Sequence, residues 1–308
     1  MNIIRDDIDF SAYVHETEAQ QRVRPAREYV QELIERLGRP VVREGHPLPW
    51  RKVGDRFRFR PGEVTLWAGV NGHGKSLMTG MIALDLIAAR ERVCIASFEM
   101  KPHSTLTRML RQWTGFASDD QFAQDPDNVA ALRDLYEQFQ VIADRHLWFY
   151  DQQGTVTVDQ IIGVARYCAK ELGIRHIFID SLMKCVRGED DYNGQKALVD
   201  ELTAIARDYR CHIHLVHHIR KLENELRRPD KQDVKGSGAI TDQVDNVLLV
   251  WRNKADAKKP EDGDALLICC KQRHGEWEGG IKLYFEPQSQ QYVGDHGDPA
   301  TNFWERAK

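Results

Sequence analysis

Short apolar runs alternate with helical patterns along most of the chain. VTLWAGV (64–70), RVCIASF (92–98), LWFYD (147–151), IRHIFID (174–180), HIHLVHH (212–218) and NVLLVWR (246–252) are rich in β-branched and aromatic residues. Runs that stay apolar at successive positions suit strands covered on both faces, as in a mainly parallel sheet. Between them, apolar positions return at helical spacing over Ser76–Ala89, Pro102–Trp113, Asn128–Ile142, Val158–Leu172 and Gln195–Tyr209. In the last, Leu198, Leu202, Ile205 and Tyr209 mark one face. The succession predicts an α/β fold with helices on both faces of the sheet. The tail differs. ALLICCKQR (265–273), GEWEGG, IKLYFEP and QQYV predict antiparallel hairpins added at a sheet edge.

Upstream, residues 1 to about 22 are polar and are expected to be irregular. RPAREYVQELIERLG (24–38) reads as an amphipathic helix: Pro25 suits its first turn, and Tyr29, Leu33, Ile34 and Leu37 form a stripe. Gly38 and Pro40 stop it. The stripe either packs on its own domain or docks on a neighbouring subunit. The expected division is an N-terminal extension, 1–45, and one α/β domain, 46–308.

The phosphate-loop pattern G-x-x-x-x-G-K-[ST] appears as GVNGHGKS, Gly69 to Ser76, between the first strand and the first core helix. That context is what such a loop requires. Gly69, Gly72 and Gly74 let successive N–H groups turn toward phosphates, and the helix N-terminus adds its positive dipole end. Lys75 would bridge β- and γ-phosphate oxygens, and Ser76 would give a hydroxyl to Mg²⁺. Asn71, His73 and Leu77 complete the expected nucleotide-binding set.

Two acids then matter. Asp180 ends the apolar strand IFID, at the sheet edge where ligands of such folds bind, and reads as the acid that holds the metal. Glu99 follows CIASF at the same edge and reads as general base for the attacking water. HIHLVHH carries His212, His214, His217 and His218. Strand alternation is expected to keep them from converging on a metal, and His218 is expected to point at the nucleotide edge.

The bulk numbers fit this picture without sharpening it. The 308 residues are 42% hydrophobic, enough for one large α/β domain, and the net charge of −4 announces no polyanion binder. Any such site must come from a local basic cluster. Six scattered cysteines without C-x-x-C read as reduced thiols. The acidic N-terminus is no signal peptide, and no run reaches the length of a membrane span. A reducing, ATP-containing compartment, the cytoplasm, is expected.

In order, GVNGHGKS, SFEM, IFID, LVHHIRK, DVKGSGAITDQVDNVLLV and KQRHGEWEGGIKLYF resemble the motifs of the DnaB-type, RecA-like hexameric helicases. They are most similar to the helicase half of phage primase–helicases and to the mitochondrial replicative helicase, which have His at the position of His218. The resemblance runs from about Pro49 to Val293. It implies a RecA-like P-loop NTPase that translocates on single-stranded DNA as a ring during replication. It implies ATP–Mg²⁺ on Gly74, Lys75 and Ser76, Glu99 as base, Asp180 supporting the metal and His218 as γ-phosphate sensor. Arg273, with Lys271 nearby, falls on the family's arginine finger, which serves the adjacent subunit. Phe285 falls where the family often has an aromatic against the adenine.

The resemblance also implies a DNA grip. The loop after the sensor strand carries Arg220, Lys221, Arg227, Arg228, Lys231 and Lys235, followed by Gly236, Ser237 and Gly238. With no aromatic in it, backbone-dominated and salt-sensitive binding is expected. Glu223, Glu225, Asp230 and Asp233 leave a plain solvated loop open as the other reading. The acidic loop 187–195 is expected to be a poor phosphate gripper. No primase domain or zinc ribbon precedes the core, so priming and loading are expected in trans. The helix at 24–38 matches the family's linker helix, which favours docking on the next subunit. A RecA-like recombinase and a non-motor, nucleotide-gated ATPase are the rival functions.

Overall fold

The computed structural model describes residues 2–4, 8–13, 25–38, 43–115, 125–188, 190–220, 224, 226–235, 238–255 and 259–307. The predicted succession is present. The strands are β1 (Asn2–Ile4), β2 (His46–Pro47), β3 (Arg58–Phe59), β4 (Val64–Gly69), β5 (Val93–Ser97), β6 (Leu147–Tyr150), β7 (His176–Asp180), β8 (His212–His218), β9 (Asn246–Arg252), β10 (Ala265–Gln272), β11 (Gly279–Glu286) and β12 (Gln291–Val293). The helices are α1 (Ala26–Arg36), α2 (Lys75–Ala88), α3 (Pro102–Thr114), α4 (Pro126–His146), α5 (Val158–Lys170), α6 (Tyr192–Tyr209), α7 (Gly238–Gln243) and α8 (Phe303–Arg306).

Ten strands form one sheet in the order β1-β6-β5-β7-β8-β4-β9-β10-β11-β12. From β1 to β9 every pairing is parallel, and β10, β11 and β12 continue it antiparallel, as the tail pattern predicts. The parallel part is dry on both faces because helices cover both. Ile161 and Cys168 of α5 and Leu198, Leu202 and Ile205 of α6 close one side. Met78, Ile82 and Leu86 of α2, Trp113 of α3, Phe139 of α4 and Phe303 of α8 close the other. Thr157 and Asp125 cap α5 and α4 with side-chain bonds to Gln160 and Asp127 amides, which sets those helix starts.

Two N-terminal expectations change. Residues 2–4, expected to be irregular, add a parallel edge strand to β6. Phe10 is buried and meets Tyr150 and Tyr167 edge-on, at centroid distances of 6.1 and 5.9 Å. Gly163 makes that possible: a Cβ there would sit 2.7 Å from the Phe10 carbonyl oxygen. A strand of three residues is too short for a periodic signal, and one buried Phe in a polar stretch does not declare itself. The small β2–β3 hairpin was also unread; its Phe59 packs on Trp67 and His214.

The predicted N-terminal helix exists as α1, with Arg24 outside the described residues. None of its residues is buried. Tyr29, Val30, Leu33, Ile34 and Leu37 are all exposed, Leu37 at 77%.

Candidate nucleotide site and its partner edge

The site begins where β4 runs out. Six fully buried residues, Val64 to Gly69, fix that strand between β8 and β9. A Cβ on Gly69 would collide with the Val250 carbonyl, so the close strand contact at the mouth of the loop needs glycine. Gly74 starts α2 with φ of +86°, a left-handed conformation that glycine adopts without strain. His73 is buried and accepts the Arg252 amide at 3.1 Å, tying the loop to the end of β9. Asn71 and Gly72 are exposed, and Leu77 packs partly on the core.

Lys75 is buried and donates to the carbonyls of Gly69 at 2.9 Å and Val70 at 3.2 Å. Burial pushes its amine below the ordinary lysine range, against the pull of Asp180 and Glu99. Ser76 donates to Asp180 Oδ2 at 2.7 Å, so the expected metal pair is together. A hydroxyl and a carboxylate at a helix N-terminus suit a hard cation such as Mg²⁺. Burial pushes the Asp180 carboxyl up, while the Ser76 bond opposes it.

Parallel register brings the second acid beside the first. Ser97 pairs with Asp180 across β5 and β7, and the Phe98 amide donates to the Asp180 carbonyl at 2.7 Å. Glu99 therefore leaves β5 at the level of the metal pair. Its Oε1 accepts from Ser181 Oγ at 2.9 Å and lies 3.5 Å from His218 Nε2. The His218 hydrogen bond leads in holding the Glu99 carboxyl at about 2; burial opposes it, and Ser181 adds to it.

The far end of the same strands carries the other predicted pair. Arg273 Nε lies 3.2 Å from Asp245 Oδ1, and Asp245 Oδ2 accepts the amide of Val64, the first residue of β4. Arg273 also donates to the carbonyls of Asp242 and Gln243. Lys271 Nζ donates to the Thr241, Asp242 and Val244 carbonyls at 2.9, 2.7 and 2.7 Å, closing the C-terminal end of α7. β10 is antiparallel to β9, with Gln272 opposite Asn246. Arg273 and Lys271 thus sit at the edge opposite their own phosphate loop. Five residue steps of β4 amount to about 17 Å.

Phe285 packs 5.6 Å from Tyr292, centroid to centroid. The Tyr292 hydroxyl lies against Gly74, where a Cβ would collide with it. Tyr292 was missed: its one signal was its place in QQYV, one hairpin step from Phe285.

In the predicted DNA loop, Lys221, Gly236 and Ser237 lie outside the described residues. Ile219 bridges Val234, and the Arg220 amide donates to the Asp233 carbonyl at 2.7 Å, so both stems are joined at the end of β8. Arg227 pairs with Asp233 and, at 3.6 Å, with Asp230. Lys231 lies 3.3 Å from Asp242. Arg220, Arg228 and Gly238 are exposed. A cavity of about 640 Å³ is lined by Lys184, Arg187, Arg220 and Lys235 with Glu99 and His218. Lys184 was overlooked and Arg187 set aside for the acids that follow it; the fold turns both to the base and the loop stems.

The histidines require a correction. Positions two apart share a strand face, so His212 and His214 do converge, with centroids 4.6 Å apart, and His176 of β7 joins them. Trp67 Nε1 donates to His214 Nδ1, and His214 Nε2 meets His176 Nδ1 at 3.1 Å. His212 lies between Thr65 Oγ1 at 2.8 Å and the Arg60 carbonyl at 2.7 Å. Burial drives all three toward the neutral form, His212 to about 4. Among the described residues, no group of three His, Cys, Asp or Glu is arranged to hold a metal ion.

Comparison with known proteins bears on the family and the fold. The DnaB-like helicase C terminal domain model matches residues 57–294. The replicative DNA helicase DnaB of Helicobacter pylori is 27% identical over 242 residues, 76% of this chain and 48% of the relative. The chloroplastic/mitochondrial Twinkle homolog protein of Arabidopsis thaliana is 20% identical over 225 residues, 69% of this chain and 31% of the relative. The chain spans about half the length of the bacterial relatives it matches. Among solved structures, the ATPase domain of G40P superposes with a TM-score of 0.73 at 19% identity, over 87% of this chain and 97% of that one. A DnaB-like replicative helicase solved for its interactions with primase gives 0.70 at 19% identity, over 87% of this chain and 65% of that one. The shared fold is that of the RecA-like helicase ATPase domain. Among the described residues no helix is long and apolar enough to cross a membrane.

Proposed function

The chain belongs to the DnaB-like helicase C-terminal domain family, and from that membership we propose that it is an ATP-driven, ring-forming DNA helicase motor of the cytoplasm. One observation carries the reading. The phosphate loop and Arg273 occupy opposite edges of one sheet, joined through Val64 and Asp245. A single protomer cannot close that gap, whereas head-to-tail neighbours bring the two edges together.

Lys75 and the N–H groups of the loop hold the triphosphate, with Phe285 and Tyr292 at the hairpin side. Ser76 and Asp180 would hold Mg²⁺, which would supply positive charge to offset that of the phosphates. Glu99 takes the proton of the attacking water. Arg273 of the neighbour stabilises charge that develops on the transferred phosphoryl group, and Lys271 holds the strand that carries it. His218 contacts the base on one side and leads directly into the loop stems on the other. Loss of the γ-phosphate therefore reaches residues 219–238, which grip single-stranded DNA through Arg220, Arg228 and Lys235. Arg227 and Lys231 brace the loop through Asp233 and Asp242. The bare stripe on α1 docks on the next subunit of a ring, hexameric as in the family.

The test is the ATPase rate of the purified chain with and without single-stranded DNA, alongside electron microscopy with nucleotide. Stimulation together with closed rings is expected. Open filaments would favour a recombinase, and a rate indifferent to DNA would favour a non-motor ATPase.

A further inference from the structure

The end of β7 makes two contacts with two different groups. Asp180 accepts from Ser76, and the next residue, Ser181, turns the other way and donates to Glu99. Ser181 is fully buried. Its backbone is pinned as well: the carbonyl accepts the Lys184 amide at 3.0 Å and the Cys185 thiol at 3.6 Å, in the short turn Leu182–Lys184. A serine hydroxyl has one proton to give, and here it goes to a carboxylate. His218, the other partner of the same oxygen, stands instead on a stem shared with the basic loop, where its carbonyl accepts the Lys235 amide at 3.0 Å.

We propose that Ser181 is the positioning residue of the base: its hydroxyl, fixed at the end of β7, holds Glu99 Oε1 and so aims Oε2 at the attacking water, while His218 engages and releases the same oxygen as the loop moves. The proposal rests on the reading of Glu99 as general base. It gives the two partners different tasks. A carboxylate held only by His218 would lose its orientation each time the loop shifted. Ser181 keeps it aimed through the cycle. The low proton affinity of Glu99 fits a carboxylate that accepts from both groups.

Ser181→Ala removes one oxygen and leaves the backbone bonds intact. Its steady-state ATPase is expected to show kcat reduced roughly ten- to a hundredfold, a part of what general-base catalysis contributes, with KM for ATP unchanged and the melting temperature kept. In a Glu99→Gln background, where only slow residual hydrolysis remains, Ser181→Ala is expected to cause no further loss. An unchanged kcat in the single variant overturns the proposal. An equal fall in both backgrounds also overturns it, since that is the mark of a structural role. Should Glu99→Gln itself turn over at the native rate, the base assignment fails and this proposal falls with it; a silent Ser181→Ala beside an inactive Glu99→Gln removes the positioning role alone.

Discussion

The two edges of the sheet are built differently. At one, Ser76 donates to Asp180, Glu99 meets Ser181 and His218, and Lys75 bonds its own loop; the two acids have proton affinities moved in opposite directions, Asp180 up by burial and Glu99 down by its partners. At the other, Arg273 and Lys271 spend their donors on the carbonyls at the end of α7 and on Asp245. On the proposed reading the first edge holds the phosphate loop, the metal-binding pair and the base, and the second carries the cation meant for a neighbour's site. β4 separates them, and Val64 and Asp245 fix their relation. On that reading, a strand fixed between two half-sites would make the chemistry depend on assembly.

Perturbing the edges in turn tests this division. The largest effect belongs to Lys75→Ala, which removes the ammonium at the loop and is expected to abolish ATP turnover in a steady-state assay. Arg273→Ala is expected to lower turnover about 10³-fold, the lower range for an arginine finger, while ATP binding measured by equilibrium dialysis persists because the first edge is untouched. Leu33→Glu with Ile34→Glu on α1 is expected to reduce ring formation in sedimentation with little change in monomer melting, since both residues are exposed in the monomer. The smallest effect concerns the strands between the edges. His176, His212 and His214 are held neutral by burial, so the unfolded chain takes up protons that the folded chain refuses. Their contribution is fully present above pH 6.5 and is lost as the pH falls from there toward 4, by about 3 kcal/mol for His212 alone. Denaturant titrations across that range read the loss.

The core strands, their helices and the antiparallel tail were legible because two-sided burial and helical spacing leave long patterns. Lys75, Ser76, Glu99 and Asp180 were legible because each lies at a strand end or in a spaced motif. What escaped reading depends on partners far apart in the chain. Ser181 meets Glu99 only through the register of β5 and β7, and Tyr292 meets Gly74 only through the fold of the hairpin. β1 is three residues long, and its anchor Phe10 depends on a glycine more than a hundred residues later. The histidine reading failed on strand geometry: alternate residues share a face, and His176 arrived from a different strand.

The central claim is that one protomer's Arg273 completes the nucleotide site of the next. Subunit mixing tests it most directly. Lys75→Ala and Arg273→Ala chains, each inactive alone, are combined under conditions of exchange, and ATP hydrolysis is measured. A junction that joins the intact loop of one to the intact arginine of the other regains turnover. A mixture as inactive as its components would contradict the account.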